Sequence, residues 1–324
     1  MHFLTDPLAQ LAITHFDNID INQGDWFFST FGPGNLTNAT DRPHERFSDY
    51  ETLLNLLRDR NQQKYNELHK GTPFFFLSWL SFDLRNYEKA LYYLDAAISE
   101  DVKNAGPYWV NKPGAEFLKL TTQQHVAGRI IAQVRGLLIE QIERFNNVSG
   151  LGNITIDNFI DNFVANLIHD PSARTIVSAL YIFILEKNER MMELKIKSTE
   201  GSSLGPIIAH LFSGGIIFES LLKKLYPTKN DGSPIKTLGN IFHTTSFTAD
   251  FATGIQTSAE TLQDILDAIN DNTLVTSFTA TARIRNTTGH NLVWDNIFND
   301  TTKFEMLYNQ IINALFYIVE RKYI

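Results

Sequence analysis

The run from Thr121 to Phe145, TTQQHVAGRIIAQVRGLLIEQIERF, is the feature that most restricts the fold. Its apolar residues recur every three or four positions, so they lie along one side of an α-helix. This stripe consists of Val126, Ile130, Val134, Leu137, Leu138 and Ile142. Runs with the same period recur along the chain, whereas the alternating pattern of a half-buried strand is scarce. The sequence therefore predicts an all-α protein.

Two breaks rich in Gly, Pro and Ser divide the chain into three predicted segments. NAGPYWVNKPGAEF lies near residue 110 and STEGSSLGP near residue 200, and such clusters are typical of boundaries. We expect residues 1–110 to form an irregular cap followed by helices, and 111–200 to form a helical middle region. Residues 201–324 are expected to form an antiparallel helical bundle.

The first segment is expected to stay irregular for about fifty residues, because it is rich in Gly, Pro, Asn and Thr. A helix is predicted to begin at Ser48-Asp49, with Leu53, Leu54 and Leu57 on its buried side. At about 72–100 the spacing of Leu77, Trp79, Tyr87, Ala90, Leu94 and Ala97 resembles a single degenerate tetratricopeptide repeat. Such a hairpin more often packs structurally than binds a peptide, but the N-terminal helical region as a whole is a candidate for binding a protein or ligand partner.

Composition excludes several classes of site. The chain has no cysteine, which rules out disulfides, thiolate nucleophiles and cysteine-bound zinc. The N-terminus lacks the pattern of a signal peptide, and the apolar run PFFFLSWLSF is half the length of a membrane helix. We therefore expect a cytoplasmic protein without membrane contact. A net charge of -8 argues against a protein that coats nucleic acid generally.

The stretch TARIRNTTGH carries the clearest candidate chemistry. Arg285, Asn286 and His290 lie together between two apolar helical runs. Histidine exchanges protons near neutral pH, arginine suits the oxygens of a phosphate, and asparagine orients a partner by hydrogen bonding. Such a set suits RNA cleavage by the 2′-OH without a metal ion.

Helical geometry separates these three residues. Asn286 and His290 are four positions apart and would share one face of a helix, whereas Arg285 and His290 would point about 140° apart. A single copy of the motif would then be incomplete. The same Thr-Thr-Gly residues would also serve simply to end one helix and cap the next.

The R-x-x-x-x-H form with Asn after Arg resembles the signature of HEPN domains, over roughly residues 200–324. The resemblance implies a metal-independent endoribonuclease that uses no cofactor and acts on RNA, in toxin-antitoxin or antiphage-defence systems. It implies Arg285, Asn286 and His290 as catalytic residues, and a homodimer in which two motifs face each other. We expect RNA-backbone contacts from Arg283, Lys223 and Lys224.

Two other functions stay open. The domain is alternatively a non-catalytic docking or dimerisation unit, in which case His290 would be buried against its own chain. A weaker alternative is an HD-type phosphohydrolase that binds a metal through His125, His169 and Asp170, although Asp170 precedes Pro171 and is explained as a helix N-cap. His210 and His243 are predicted to be hydrogen-bonded core histidines.

Overall fold

The structure is a computed structural model that describes residues 6–20, 42–121, 128–196, 204–289 and 301–324. The chain forms two compact units, Met1–Ala132 and Gln133–Ile324. Helices dominate both, and the described residues contain no strand beyond an isolated antiparallel bridge between Thr228 and Pro234. The predicted all-α class is confirmed.

The first unit contains α1 (Asp6–Asn18), α2 (Pro43–Arg60), α3 (Gln62–Glu67), α4 (Gly71–Asp83), α5 (Tyr87–Ala105) and α6 (Pro113–Leu118). Two predictions for this region are wrong. Helix α1 lies within the stretch that was expected to be irregular, and α2 begins at Pro43 rather than at Ser48-Asp49. Proline suits the first turn of a helix, where its missing N–H has no partner to lose.

Helices α4 and α5 pack against each other as a hairpin. The side chain of Asn86 caps α5 by accepting a hydrogen bond from the Lys89 amide, at 3.1 Å. Leu77 of α4 and Leu94 of α5 are fully buried, as is the small Ala90 that lets the two helices approach. The predicted helical hairpin at 72–100 is confirmed.

The second unit contains most of α7 (Gly128–Ser149) and a helix α8 over residues 156–168, which includes a π-helical turn, Phe159–Val164. It continues with α9 (Pro171–Ile196), α10 (Gly205–Leu225), α11 (Leu238–Phe242), α12 (Thr245–Asp250), α13 (Leu262–Asp267), α14 (Leu274–Thr288) and α15 (Thr301–Tyr323). The long helices α9, α10, α14 and α15 pack on one another. The bundle was expected to lie within residues 201–324, but one of its four long helices, α9, comes from before residue 201. Residues 238–267 form only short helices.

A glycine pair brings these helices close together. A Cβ atom on Gly214 would lie 2.6 Å from the ring of Phe183 on α9, and one on Gly215 would lie 2.6 Å from Cβ of Arg285 on α14. Neither contact is sterically allowed, so only glycine permits this approach at either position. The run SGGIIFES thus brings α14 against α10 at Arg285.

Polar side chains join α14 to α15 inside the core. Ser277 donates a hydrogen bond to Oε1 of Gln310 at 2.8 Å. Gln310 donates in turn to the carbonyl of Asp271 at 3.0 Å, and Tyr317 donates to the carbonyl of Asn272 at 2.8 Å. Because buried polar groups are costly unless they are paired, these bonds fix the register of the two helices.

Among the described residues, α10 is the one helix that is both long and apolar enough to span a membrane. Within its most apolar window, 61% of the residues are buried inside the fold. Burial of this kind is typical of a core helix, and α10 indeed packs between α9 and α14.

Candidate active-site cleft

A cleft of about 630 Å³ lies between α10, α14 and the two loops that connect them through α11 to α13. Helix α10 contributes Glu219 and Lys223, and α14 contributes Arg285 and Asn286. The loops contribute further polar lining, including Lys236, Thr237, Thr257, Ser258 and Glu260. Three of the six predicted site residues therefore line one cavity.

The cleft is formally positive in a protein of negative net charge. Lys223, Lys236 and Arg285 contribute three cations, against the two carboxylates of Glu219 and Glu260. A concave surface of this sign raises the local concentration of anions. The net charge of the whole chain, -8, gives no sign of this local excess.

Arg285 is held by a buried carboxylate. Its Nε donates to Oε2 of Glu219 at 2.5 Å, and Lys223 Nζ lies 2.7 Å from Oε1 of the same group. The Glu219 side chain is only 6% exposed, whereas those of Arg285 and Lys223 are 28% and 37% exposed. The acid is thus buried beneath two cations that remain accessible from the cleft.

Asn286 fixes both Arg285 and the neighbouring loop. Its Oδ1 accepts from Nη1 of Arg285 at 3.2 Å, and its Nδ2 donates to the carbonyl of Thr257 at 2.7 Å. Thr287 donates to the carbonyl of Ala259 at 3.4 Å. These bonds attach the 257–259 loop to α14, so the loop forms a stable wall of the cleft.

Arg283 and Lys224, which were predicted to contact RNA, point elsewhere. Arg283 hydrogen-bonds to Gln256 and lines a separate cavity of about 250 Å³. Lys224 forms an ion pair with Asp170 at 2.6 Å. Arg283 is two positions from Arg285 and therefore faces nearly the opposite side of α14. Lys224 is adjacent to Lys223 and diverges from it by about 100° around α10, so neither Arg283 nor Lys224 lines the cleft.

His290 lies outside the described residues. Helix α14 ends at Thr288 with Gly289 as its C-cap, and the amide of Gly289 donates to the carbonyl of Arg285 at 3.3 Å. The structure therefore describes Arg285 and Asn286 of the motif, and the expectation that His290 shares a helical face with Asn286 stays a prediction.

His210 is a core histidine, as predicted. It is 2% exposed, its ring stacks on Phe183 at a centroid distance of 4.4 Å, and Nε2 lies 2.9 Å from the carbonyl of Phe183. Burial lowers the pKa of His210 to about 4. The prediction of a core role for His243 is wrong, because this residue is exposed at the end of the short helix α11.

One of the three residues proposed for the HD-type metal site, Asp170, has a structural role instead. Asp170 accepts hydrogen bonds from the amide and hydroxyl of Ser172, and so caps the start of α9. The hydrogen bond from Lys224 lowers the pKa of the Asp170 carboxyl. The part of the chain that the structure describes contains no group of three potential metal ligands, and His125 lies outside it.

Sequence reasoning did not identify Glu219, Lys236 or the 257–260 loop as part of the site. The i, i+4 spacing of Glu219 and Lys223 was a usable signal, since such pairs meet on a helical surface. The contact between Glu219 and Arg285 spans 66 positions, and no local pattern indicates it.

No family model, curated protein or solved structure matches the chain. The candidate site is therefore supported by the geometry of the described residues and by the sequence motif that begins at Arg285.

Proposed function

We propose that the second unit is a metal-independent endoribonuclease and that the scissile phosphate binds at Arg285. The observation that carries this proposal is the position of Arg285 in a formally positive cleft beside Lys223, with a buried carboxylate behind both. A guanidinium group has five donors in a fixed plane. Nε and Nη1 bind Glu219 and Asn286, and Nη2 hydrogen-bonds to no described residue, so we assign this edge to a phosphate oxygen.

The proposed reaction needs no metal ion, because RNA carries its own nucleophile. The 2′-oxygen attacks the adjacent phosphorus while its proton passes to a base, and the bond from phosphorus to the 5′-oxygen breaks as that oxygen receives a proton. The products are a 2′,3′-cyclic phosphate and a 5′-hydroxyl. Arg285 would neutralise the charge that develops on the non-bridging oxygens.

His290 is the proposed proton carrier, since histidine accepts and donates protons near neutral pH. It follows directly after the C-cap of α14. Two proton transfers on opposite sides of the phosphorus are best served by two histidines, and a homodimer would supply the second. Each chain would then contribute one Arg285 and one His290 to the composite site.

The proposal is tested by cleavage of single-stranded RNA in the presence of a chelator. Wild-type protein should produce 2′,3′-cyclic phosphate ends, and it should leave DNA of the same sequence intact because DNA lacks the 2′-hydroxyl. Cleavage of both the RNA and the DNA, or cleavage of RNA that is lost with the chelator, would contradict the mechanism.

Two arginines on α14 provide a matched pair of variants. Arg285→Ala should lower the cleavage rate by about 100-fold or more, as removal of a transition-state donor does. Arg283→Ala removes the same charge from the same helix but from the smaller cavity, and it should have a much smaller effect. His290→Ala should also abolish cleavage. Equal rates for the two arginine variants would show that the scissile phosphate does not bind at Arg285, whereas a wild-type protein without cleavage would favour the non-catalytic docking domain.

A further inference from the structure

Glu219 is a buried acid with two cationic partners, and its role goes beyond charge balance. We propose that Glu219 is a positioning residue, which holds Arg285 and Lys223 side by side in the orientation that receives the substrate phosphate. This inference rests on the proposed function, because it concerns the same cleft. It assigns a role to a residue that touches neither the substrate nor the reacting atoms.

Both carboxylate oxygens of Glu219 are engaged by different helices. Oε1 pairs with Lys223 on its own helix at 2.7 Å, and Oε2 pairs with Arg285 on α14 at 2.5 Å. A buried carboxylate that loses its partners is strongly destabilising. Glu219 therefore keeps both cations within reach of one another, whether or not a substrate is present.

The bonds to Glu219 leave donors for the substrate. Arg285 uses Nε and Nη1 within the protein, and the ammonium of Lys223 has three donors of which Glu219 takes one. Gly215 fixes the other end of the arginine, since its missing side chain is what admits Cβ of Arg285 against α10. The stem of Arg285 and its guanidinium plane are thus fixed at two separate points.

Glu260 is the natural control for this role. It lines the same cleft and is exposed, but its carboxylate makes no ion pair or side-chain hydrogen bond with a described residue. Glu219→Gln and Glu260→Gln each raise the charge of the cleft by one. Only Glu219→Gln disrupts the paired arrangement, because an amide has a single acceptor oxygen and cannot hold Arg285 and Lys223 with both of its polar atoms.

The experiment measures kcat and KM for chelator-resistant cleavage of single-stranded RNA. Glu219→Gln should lower kcat by about 10- to 100-fold, the same range as when the partner that orients a metal ligand is removed, while KM stays equal or falls because the cleft is more positive. Glu260→Gln should lower KM in the same way and keep kcat much closer to the wild-type value. An unchanged kcat in Glu219→Gln, or equal losses in the two variants, overturns the proposal.

A second measurement tests the positioning role even if Glu219→Gln fails to fold. It also distinguishes failure of this role from failure of the proposed ribonuclease function. In ¹H–¹⁵N spectra of the full chain, the Nε–H signal of Arg285 should show a carboxylate hydrogen bond in wild type and in Glu260→Gln, and should move in Glu219→Asp, which keeps the charge but shortens the reach. An unmoved signal in Glu219→Asp overturns the positioning role. Wild-type protein that shows this signal but does not cleave RNA refutes the proposed function alone.

Discussion

Each half of α10 contains a buried ionisable residue, but the surroundings of the two residues are opposite in character. His210 lies in the first half among aromatic rings, with Phe183 and Tyr308 stacked near it. Glu219 lies in the second half between two cations. Both residues are buried.

The comparison shows that burial alone does not mark a functional site. An aromatic environment favours the neutral form of His210, and desolvation lowers its pKa to about 4. Glu219 instead has charged partners that reach into a cleft. Gly215 lies between His210 and Glu219 and sets the distance from α10 to α14. The two halves of α10 and the glycine between them can therefore be tested separately.

The largest effect is expected from His210 at acidic pH. Its pKa is lowered from 6.5 to about 4 in the folded protein, so the unfolded chain binds a proton more readily as the pH falls through this window. Stability contributed by the neutral ring is full above pH 6.5 and should be lost, by up to about 3 kcal/mol, as the pH falls to about 4. Thermal unfolding at several pH values measures this loss.

His210→Phe should remove most of the pH dependence between pH 6.5 and 4, while the exposed His243→Gln should keep it. Carboxyl groups with lowered pKa values, such as Asp250 and Asp264, lose their stabilisation only below about pH 4. These carboxyl groups therefore do not mask the loss of stability that His210 should cause between pH 6.5 and 4. An unchanged pH profile in His210→Phe would show that the buried ring of His210 is not the source of this pH dependence.

The middle of the helix is tested by Gly215→Ala. The added Cβ would lie 2.6 Å from Cβ of Arg285 and 3.0 Å from its Cα, so we expect a loss of about 1–3 kcal/mol from overpacking, with slower RNA cleavage. Gly136→Ala is the matched control on α7, where no atom of a described residue outside the local helix backbone lies within 4 Å of the new Cβ.

Gly136→Ala should stabilise the protein by about 0.5–1 kcal/mol, because alanine favours a helix. Urea unfolding at equilibrium compares the two variants. If Gly215→Ala proved as harmless as Gly136→Ala, the close approach of α14 would not be what positions Arg285.

The smallest effect is expected from the two lysines at the end of α10. Lys223 lines the cleft, whereas its neighbour Lys224 pairs with Asp170. Lys223→Ala should weaken binding of 2′-O-methylated RNA, which cannot be cleaved, and should lower the slope of log affinity against log salt by about 0.7, the value of one single-strand phosphate contact.

Lys224→Ala should leave that slope close to the wild-type value. Fluorescence anisotropy across a salt series measures both variants. Equal decreases in slope would indicate that RNA tracks along the outside of α10 and not into the cleft.

The sequence predicted the helices more successfully than the site. The hairpin of α4 and α5 follows from local periodicity and from the Asn86 cap, and the structure confirms it. The start of α2 was predicted wrongly, because the helix begins at Pro43 after Arg42, whose side chain makes no capping hydrogen bond. Motif reasoning also selected Arg285 and Asn286, which line the cleft, together with Arg283 and Lys224, which do not.

Residue types and spacing along the chain determined the all-α class, the long helices and the Arg-Asn pair at the end of α14, because helical periodicity and capping act over a few residues. The tertiary structure alone decided which cations share a cleft. Glu219 meets Arg285 across 66 positions, and Gly215 admits the contact because α14 crosses α10 there. Such partners depend on how helices pack, and packing is a property of the whole chain.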